Sequence, residues 1–158
     1  MASEVCNVSG GKINAYADNV NDNTPANAVL VLALFVGAGA TDNDYRDADS
    51  LSAIEALSTA EVTDVSYSRI ILSDLDVAAS TVDDVGDTRS FDIADQTWVA
   101  LDGSDSITKL VVGYDSDSAA GTDADIVPCA HYDFVVSTNG SDVTAQINAG
   151  GLWSAGQP

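Results

Sequence analysis

The chain has 158 residues, of which 46% are hydrophobic, so it is long and apolar enough to form one folded domain with a core. It carries 25 acidic residues, 22 of them Asp, against 5 basic ones, and its formal net charge is −20. A charge of this sign and size excludes nucleic acids and anionic membranes as partners, because both would repel it.

Short apolar runs, most of them alternating with polar residues, predict nine β-strands separated by turn residues. They cover residues 12–17, 28–36, 68–72, 74–78, 89–94, 97–101, 107–114, 130–136 and 142–147, and the third and fourth runs also fit one bent strand. The second run, AVLVLALFV, is apolar throughout, which predicts a central strand buried on both faces. Asn139-Gly140 lies between the last two runs and predicts a hairpin turn.

One segment breaks this pattern, because Leu51, Ile54 and Leu57 recur at helical spacing. Asp49, or the acid two residues before it, can cap a helix there, and no Gly or Pro interrupts the run. We therefore predict one short α-helix over about residues 49–60 that covers an end or a face of the sheets.

Together these elements predict a mainly β fold, an antiparallel β-sandwich or barrel with one short α-helix. Residues 1–148 form the single β-rich domain, and residues 149–158 form a Gly-rich, irregular C-terminal tail. The large apolar groups of this tail are Leu152 and Trp153. Either they pack the tail onto its own domain, or the tail docks on a neighbouring subunit.

The two cysteines, Cys6 and Cys129, show no zinc-binding spacing. We expect two buried thiols. The alternative is a single disulfide that joins the N-terminal strand to a late strand.

The sequence offers little chemistry. The single histidine, His131, follows Cys129 by two residues, so on a strand the two side chains face the same side. A Cys–His nucleophile also needs an activated thiolate and a third orienting group. Nothing marks an oxyanion hole or a cleft, so we expect a structural histidine and no enzymatic activity.

One acidic loop resembles a calcium-binding loop in part. Asp115 and Asp117 match the first two acids of an EF-hand, but Ala119 and Ala120 stand where that motif needs an oxygen ligand and Gly. The acids of residues 42–44 form a weaker cluster. We expect no catalytic residue, no resident metal and no cofactor, and only adventitious binding of calcium, magnesium or monovalent cations.

The acidity itself predicts a protein of a halophilic host. Repulsion between so many acids destabilises a compact state in ordinary buffer. In molar salt the electrostatic screening length falls to about 3 Å, and most of this repulsion disappears. The start of the chain has no basic region followed by an apolar stretch, so we expect no signal peptide and synthesis in the host cytoplasm.

Several phrases taken together resemble a family of small tailed-phage proteins encoded among the head genes. They are residues 1–8, 11–12 with Tyr16, 45–51, 92–98, 109–115, 121–128 and 140–146. They run over nearly the whole chain and are structural phrases, not catalytic ones. The greater acidity and the two cysteines of this chain fit a tailed virus of a halophilic host, such as a haloarchaeon.

The resemblance implies a virion structural protein, most simply a capsid decoration or accessory protein on the capsid exterior. Its partner would be the major capsid protein, and we expect a homo-oligomer, with a trimer as one form. In high salt, apolar burial should supply the binding, which favours Val5, Leu152 and Trp153 as interface residues.

Two other functions remain open. The chain could be a turret, neck or tail component of the virion. It could instead be a surface module that binds glycans, which uses exposed aromatic side chains. The candidates for that role are Tyr16, Tyr45, Trp98, Tyr114 and Trp153.

Overall fold

The computed structural model describes residues 3–37, 39–57, 60–103, 105–148 and 151–156. Within these ranges, eleven strands form three antiparallel sheets. The strands are β1 Ser3–Val5, β2 Val29–Val36, β3 Ala60–Glu61, β4 Ile70–Leu72, β5 Thr81–Asp83, β6 Thr88–Phe91, β7 Gln96–Trp98, β8 Ser106–Asp115, β9 Val127–Ser137, β10 Val143–Ala145 and β11 Trp153–Gly156. The α-helices are α1 Ile13–Asn21, α2 Asp42–Asp47 and α3 Leu51–Glu55, and a 3-10 turn spans Asn7–Ser9.

The main sheet has six strands, in the order β1-β9-β8-β2-β3, and β4 also pairs with β2. Its long strands are β2, β8 and β9, which pair over most of their lengths, with Val31 opposite Gly113 and Val111 opposite His131. Two smaller sheets, β10-β7 and β11-β6-β5, complete the fold.

Strand β2 is buried on both faces, as its continuous apolar sequence predicts. Leu30, Leu32 and Leu34 point into one core cluster, which α1 and residues of the two small sheets complete. The alternate positions point into a second cluster that α2 and α3 cover. The prediction of a mainly β, antiparallel fold is confirmed, and the sheets are arranged as a sandwich, not as a closed barrel.

The strand predicted at residues 12–17 is wrong, because this segment begins helix α1. Its alternation covers six residues only, whereas the buried residues Ile13, Ala17 and Val20 follow helical spacing over the longer segment. Burial of these three side chains against the sheet favours the helix over a strand.

The predicted helix at residues 49–60 is shorter than expected. Helix α3 covers five residues, and Ser50, not Asp47 or Asp49, caps it by accepting a hydrogen bond from the Ala53 amide at 3.2 Å. Helix α2 precedes it and was not predicted, although Thr41 and Asp44 form a capping box at its start. Backbone and side-chain hydrogen bonds from Thr41 lower the pKa of the Asp44 carboxyl.

Three smaller predictions are also corrected. Asn139-Gly140 forms a turn, but it is not a hairpin, because β9 pairs with β8 and β1 whereas β10 pairs with β7. Residues 74–78 form only an isolated bridge, between Val77 and Ile93. The tail is not irregular throughout, because β11 pairs with β6.

No helix in the described ranges is long and apolar enough to cross a membrane.

The two cysteines are free thiols with no exposed surface, as the first alternative predicted. The Cys6 amide donates to the Cys129 carbonyl at 2.9 Å, yet the two thiols donate to different carbonyls, those of Tyr45 and Val127, each at 3.7 Å. Burial raises the pKa of both thiols to about 12, so the reactive thiolate is scarce at neutral pH.

We expect neither thiol of the native protein to react with a disulfide reagent such as Ellman's reagent at pH 8 in molar salt. Both should react once urea unfolds the chain without a reductant, because the buried thiols then regain their ordinary pKa. Rapid release of chromophore from the native protein would contradict their burial, and no release after unfolding would indicate a disulfide.

Candidate functional site

The three predicted interface residues lie in different environments. The side chains of Leu152 and Trp153 are each 6% exposed and belong to the first core cluster. The Trp153 ring stacks on Phe91 with centroids 5.0 Å apart, and the Leu152 amide donates to the Phe91 carbonyl at 2.7 Å. The tail therefore packs onto its own domain, and these two side chains are not available to a partner in this conformation.

Val5 remains accessible, with 39% of its surface exposed. It lies opposite Ala130 in β1, the short strand at the edge of the main sheet. Of the three predicted residues, it alone presents a side chain that a partner could cover.

The aromatic side chains proposed for glycan stacking lie mostly in the core. Tyr45, Trp98, Tyr114 and Trp153 are between 1% and 6% exposed. Tyr16 is half-buried and stacks on Tyr114, with ring centroids 4.4 Å apart. Four of the five rings are therefore buried, and Tyr114 covers one face of the fifth, Tyr16.

The Cys129–His131 pair does not form a catalytic dyad. The register of β8 and β9 shifts between Val112 and Gly113, which lie opposite Ala130 and Pro128 and leave Cys129 as an extra residue. Cys129 consequently packs in the first core cluster, whereas the His131 ring lies 5.4 Å from the Tyr45 ring of the second cluster.

The loop that resembles a calcium site is held by its own hydrogen bonds. Asp115 accepts from the Asp117 amide at 3.0 Å, and Asp117 accepts from the Ala119 amide at 3.2 Å. Within the described ranges, no group of three or more metal-ligating side chains is arranged to hold an ion.

Four of the five basic residues pair with acids of their own chain. Arg46 pairs with Glu4, Arg89 with Asp18, Lys109 with Asp42 and Asp133, and Arg69 with three carboxylates. The charged side chains that form no ion pair are therefore almost all acids. The ratio of acids to bases among them is higher than in the composition as a whole.

Arg69 holds the largest of these ion-pair groups. Its guanidinium lies 2.7 Å from Glu55 and 2.6 Å from Glu61, and it also binds Asp123. This contact lowers the pKa of the Asp123 carboxyl, whereas burial and then the Asp123 charge raise the pKa of Glu55. The group ties α3, β3 and the loop after β8 together, which is a structural role.

Exposed aliphatic side chains are the remaining candidates for contact with a partner. Among the described residues, the large ones are Val5, Val65, Ile71, Leu75, Val82, Val85, Val99 and Val135. Val65 and Val99, with 91% and 65% of their surface exposed, lie on two loops that hydrogen bonds join to each other. These loops, residues 64–68 and 98–103, are called the valine loops below.

Hydrogen bonds join the two valine loops at both of their ends. The Asp64 carboxylate accepts from the Ser66 amide at 2.7 Å and from the Gly103 amide, and these bonds lower its pKa. The Trp98 indole donates to the Ser68 carbonyl at 3.1 Å. The two exposed valines are thus carried by backbone that is already ordered.

The turn after β9 supports the second valine loop. Asp142 accepts from the Ala100 amide at 2.9 Å, and the Gly140 amide donates to the Leu101 carbonyl at 2.7 Å. Ala100 has a φ of 52°, an unfavourable conformation for a residue with a side chain. The bonds from Asp142 and Gly140 hold the backbone on both sides of Ala100 in this conformation.

Comparisons with family models, with curated proteins and with solved structures find no match to this chain. The resemblance to phage head proteins therefore stays a prediction, and the functional argument depends on the residues and geometry described above.

Proposed function

We propose that the chain is a virion structural protein, a capsid decoration protein that binds the major capsid protein on the capsid exterior. The observation that carries this proposal is the pair of exposed valines on the pre-ordered valine loops. The resemblance of the sequence to phage head proteins supports the choice of partner.

The valine loops suit binding in concentrated salt. Salt screens ion pairs but strengthens the burial of apolar surface, so aliphatic contacts are the ones that survive there. Because hydrogen bonds already fix the loops, little conformational entropy is lost when a partner covers them. Many copies on one lattice then stabilise it together, since each binds the assembled form.

Copy number in purified virus particles tests the proposal. Quantitative mass spectrometry should find the chain at a near-stoichiometric ratio to the major capsid protein. A few per cent of the capsid protein or less would instead indicate a vertex, turret, neck or tail component, with about a dozen copies per particle for the neck. Absence from particles would overturn a virion role.

A matched pair of double variants tests the surface itself. Val65→Ser with Val99→Ser should weaken binding to particles that lack the protein by roughly thirtyfold, because two valines contribute on the order of 2 kcal/mol when buried. Binding is measured by co-sedimentation in molar salt. Equal binding of this variant and the wild type would exclude the valine loops as the contact.

Val82→Ser with Val85→Ser is the control, because these valines are 60% and 96% exposed. They lie in the β5–β6 hairpin, where Arg89 pairs with Asp18 of α1 at 2.6 Å. Helix α1 packs at the Tyr114 end of β8, whereas the valine loops lie at the Ser106 end of β8. The control valines are therefore associated with the opposite end of that strand. The control should bind within about twofold of the wild type, since isolated surface substitutions change little.

We also propose that the chain forms a homo-oligomer, such as a trimer. Light scattering of the purified protein in molar salt tests this, and a monomer at every concentration would contradict it. A glycan-binding function is not favoured, because the candidate aromatic rings are buried or stacked on one another.

A further inference from the structure

His131, the single histidine, is buried without hydrogen-bond partners. Its side chain is 1% exposed, and neither ring nitrogen has a partner. The nearest ion-pairing oxygen, Oε2 of Glu4, is 4.0 Å from Nε2, which is too far for a hydrogen bond. Burying an imidazole in this way costs free energy, so the position invites an explanation.

The ring lies on β9, next to β1, the edge strand of the same sheet in which Glu4 lies opposite His131, and it packs against Tyr45 of α2. Lys109 of β8 lies 5.7 Å from the centre of the Tyr45 ring that covers His131. The charged or titratable groups of the packed elements are Glu4 of β1 and Cys6 just after it, Asp42, Tyr45 and Arg46 of α2, Lys109 of β8, and Asp133 of β9.

These surroundings favour the neutral imidazole. Burial and then the Lys109 charge lower the pKa of His131, and they outweigh the opposing effect of the Asp42, Glu4 and Asp133 carboxylates. A proton on His131 would place a second cation beside Lys109 in a site that is buried from solvent. This electrostatic cost falls if β1 and α2 move away and expose the ring to solvent.

We propose that His131 is a pH-sensitive latch that holds β1 and α2 on the main sheet. In its neutral form it packs against Tyr45, so that β1 stays paired with β9 and α2 stays closed over the second core cluster. In its protonated form it favours an open arrangement in which β1 and α2 separate from the sheet. This inference does not depend on the proposed virion role.

The direction of the pH effect follows from the lowered pKa. The neutral latch is fully stable above the open-state pKa of about 6.5. As the pH falls below that value, the open state binds the proton more readily and gains about tenfold in population per pH unit, until the closed-state pKa is reached.

The test is a pH titration followed by NMR in molar salt, where the imidazole signals need no assignment because His131 is the only histidine. We expect a midpoint below 6.5. Between pH 7.5 and 5.5, the hydrogen-exchange protection factor of the Cys6 amide, which bonds to the Cys129 carbonyl, should fall, by about tenfold at most. The Leu152 amide, on the other face, should keep its protection.

Two variants separate the latch from general acid unfolding. His131→Phe keeps a planar ring without a titrating group, so protection at Cys6 should not change over this pH range. Glu4→Gln removes a carboxylate that raises the pKa of His131, so its titration midpoint should fall further, a result that does not require the first variant to fold. A midpoint at or above 6.5, or equal losses at Cys6 and Leu152, would overturn the proposal.

Discussion

Replacing Arg69 by Leu is expected to destabilise the protein by about 3 kcal/mol, the largest effect of any single substitution proposed for this chain. The substitution leaves Glu55, Glu61 and Asp123 close together with no cation between them. Tyr67 adds to the loss, because its hydroxyl donates to Glu61 at 2.7 Å and accepts from the Leu34 amide at 3.0 Å. Losing Arg69 should therefore also weaken the hydrogen bond that Tyr67 makes with Leu34 of β2.

Urea unfolding at constant molar salt measures this loss, because urea, unlike guanidinium, does not change the ionic strength. The matched control is Arg89→Leu, whose side chain is 41% exposed and which pairs with one carboxylate, that of Asp18. It should cost less than about 1 kcal/mol. Equal losses for the two variants would show that the three-carboxylate group has no special role.

Dilution of salt is expected to unfold the protein altogether. With a net charge of −20 and four of the five basic residues already paired internally, the outer acids repel one another over about 10 Å at 0.1 M salt and only about 3 Å at 1 M. The buried Trp98 and Trp153 should lose their near-ultraviolet circular dichroism at about 50 mM salt. A native spectrum under those conditions would contradict the halophilic interpretation.

A charge-reduced variant shows whether repulsion is the cause. Asp84→Asn with Asp87→Asn removes two exposed acids from the β5–β6 turn. Asn tolerates the positive φ of 49° at position 87, so the turn itself should be kept. The midpoint of the salt-induced folding transition should move to lower salt. An unchanged midpoint would assign the salt requirement to hydration or to bound ions.

The sequence predicted the centre of the fold better than its edges. Strands β2, β8 and β9 are long and rich in β-branched residues, so local pattern and tertiary burial favour the same structure. Helix α1 was mistaken for a strand, because a six-residue window hides the spacing of Ile13, Ala17 and Val20.

Elements that depend on distant partners had no local signal. Strand β11 is a strand because β6 provides its hydrogen bonds, and β1 exists because it lies along β9. The start of helix α2 can be predicted from the sequence, because Thr41-x-x-Asp44 is a capping pattern.

The candidate surface could not be predicted in the same way. Val65 and Val99 look like any other valine in the sequence, and only the hydrogen bonds of Asp64 and Trp98 show that their loops lie together. Large apolar groups in a Gly-rich tail predict an interface at Leu152 and Trp153, yet the same apolar character favours their burial against Phe91 of their own domain.

The strand order of the main sheet has a consequence during synthesis on the ribosome. β2, the most apolar segment, pairs along its length with β8, which is made roughly 80 residues later, or about 4–16 s at ordinary elongation rates. Among the strands of the described residues, β3 and β4 are the ones that can pair with β2 during that interval. A nascent chain of this protein should therefore be a good client for chaperones that bind apolar strands, and slow translation between residues 36 and 106 should lower its yield.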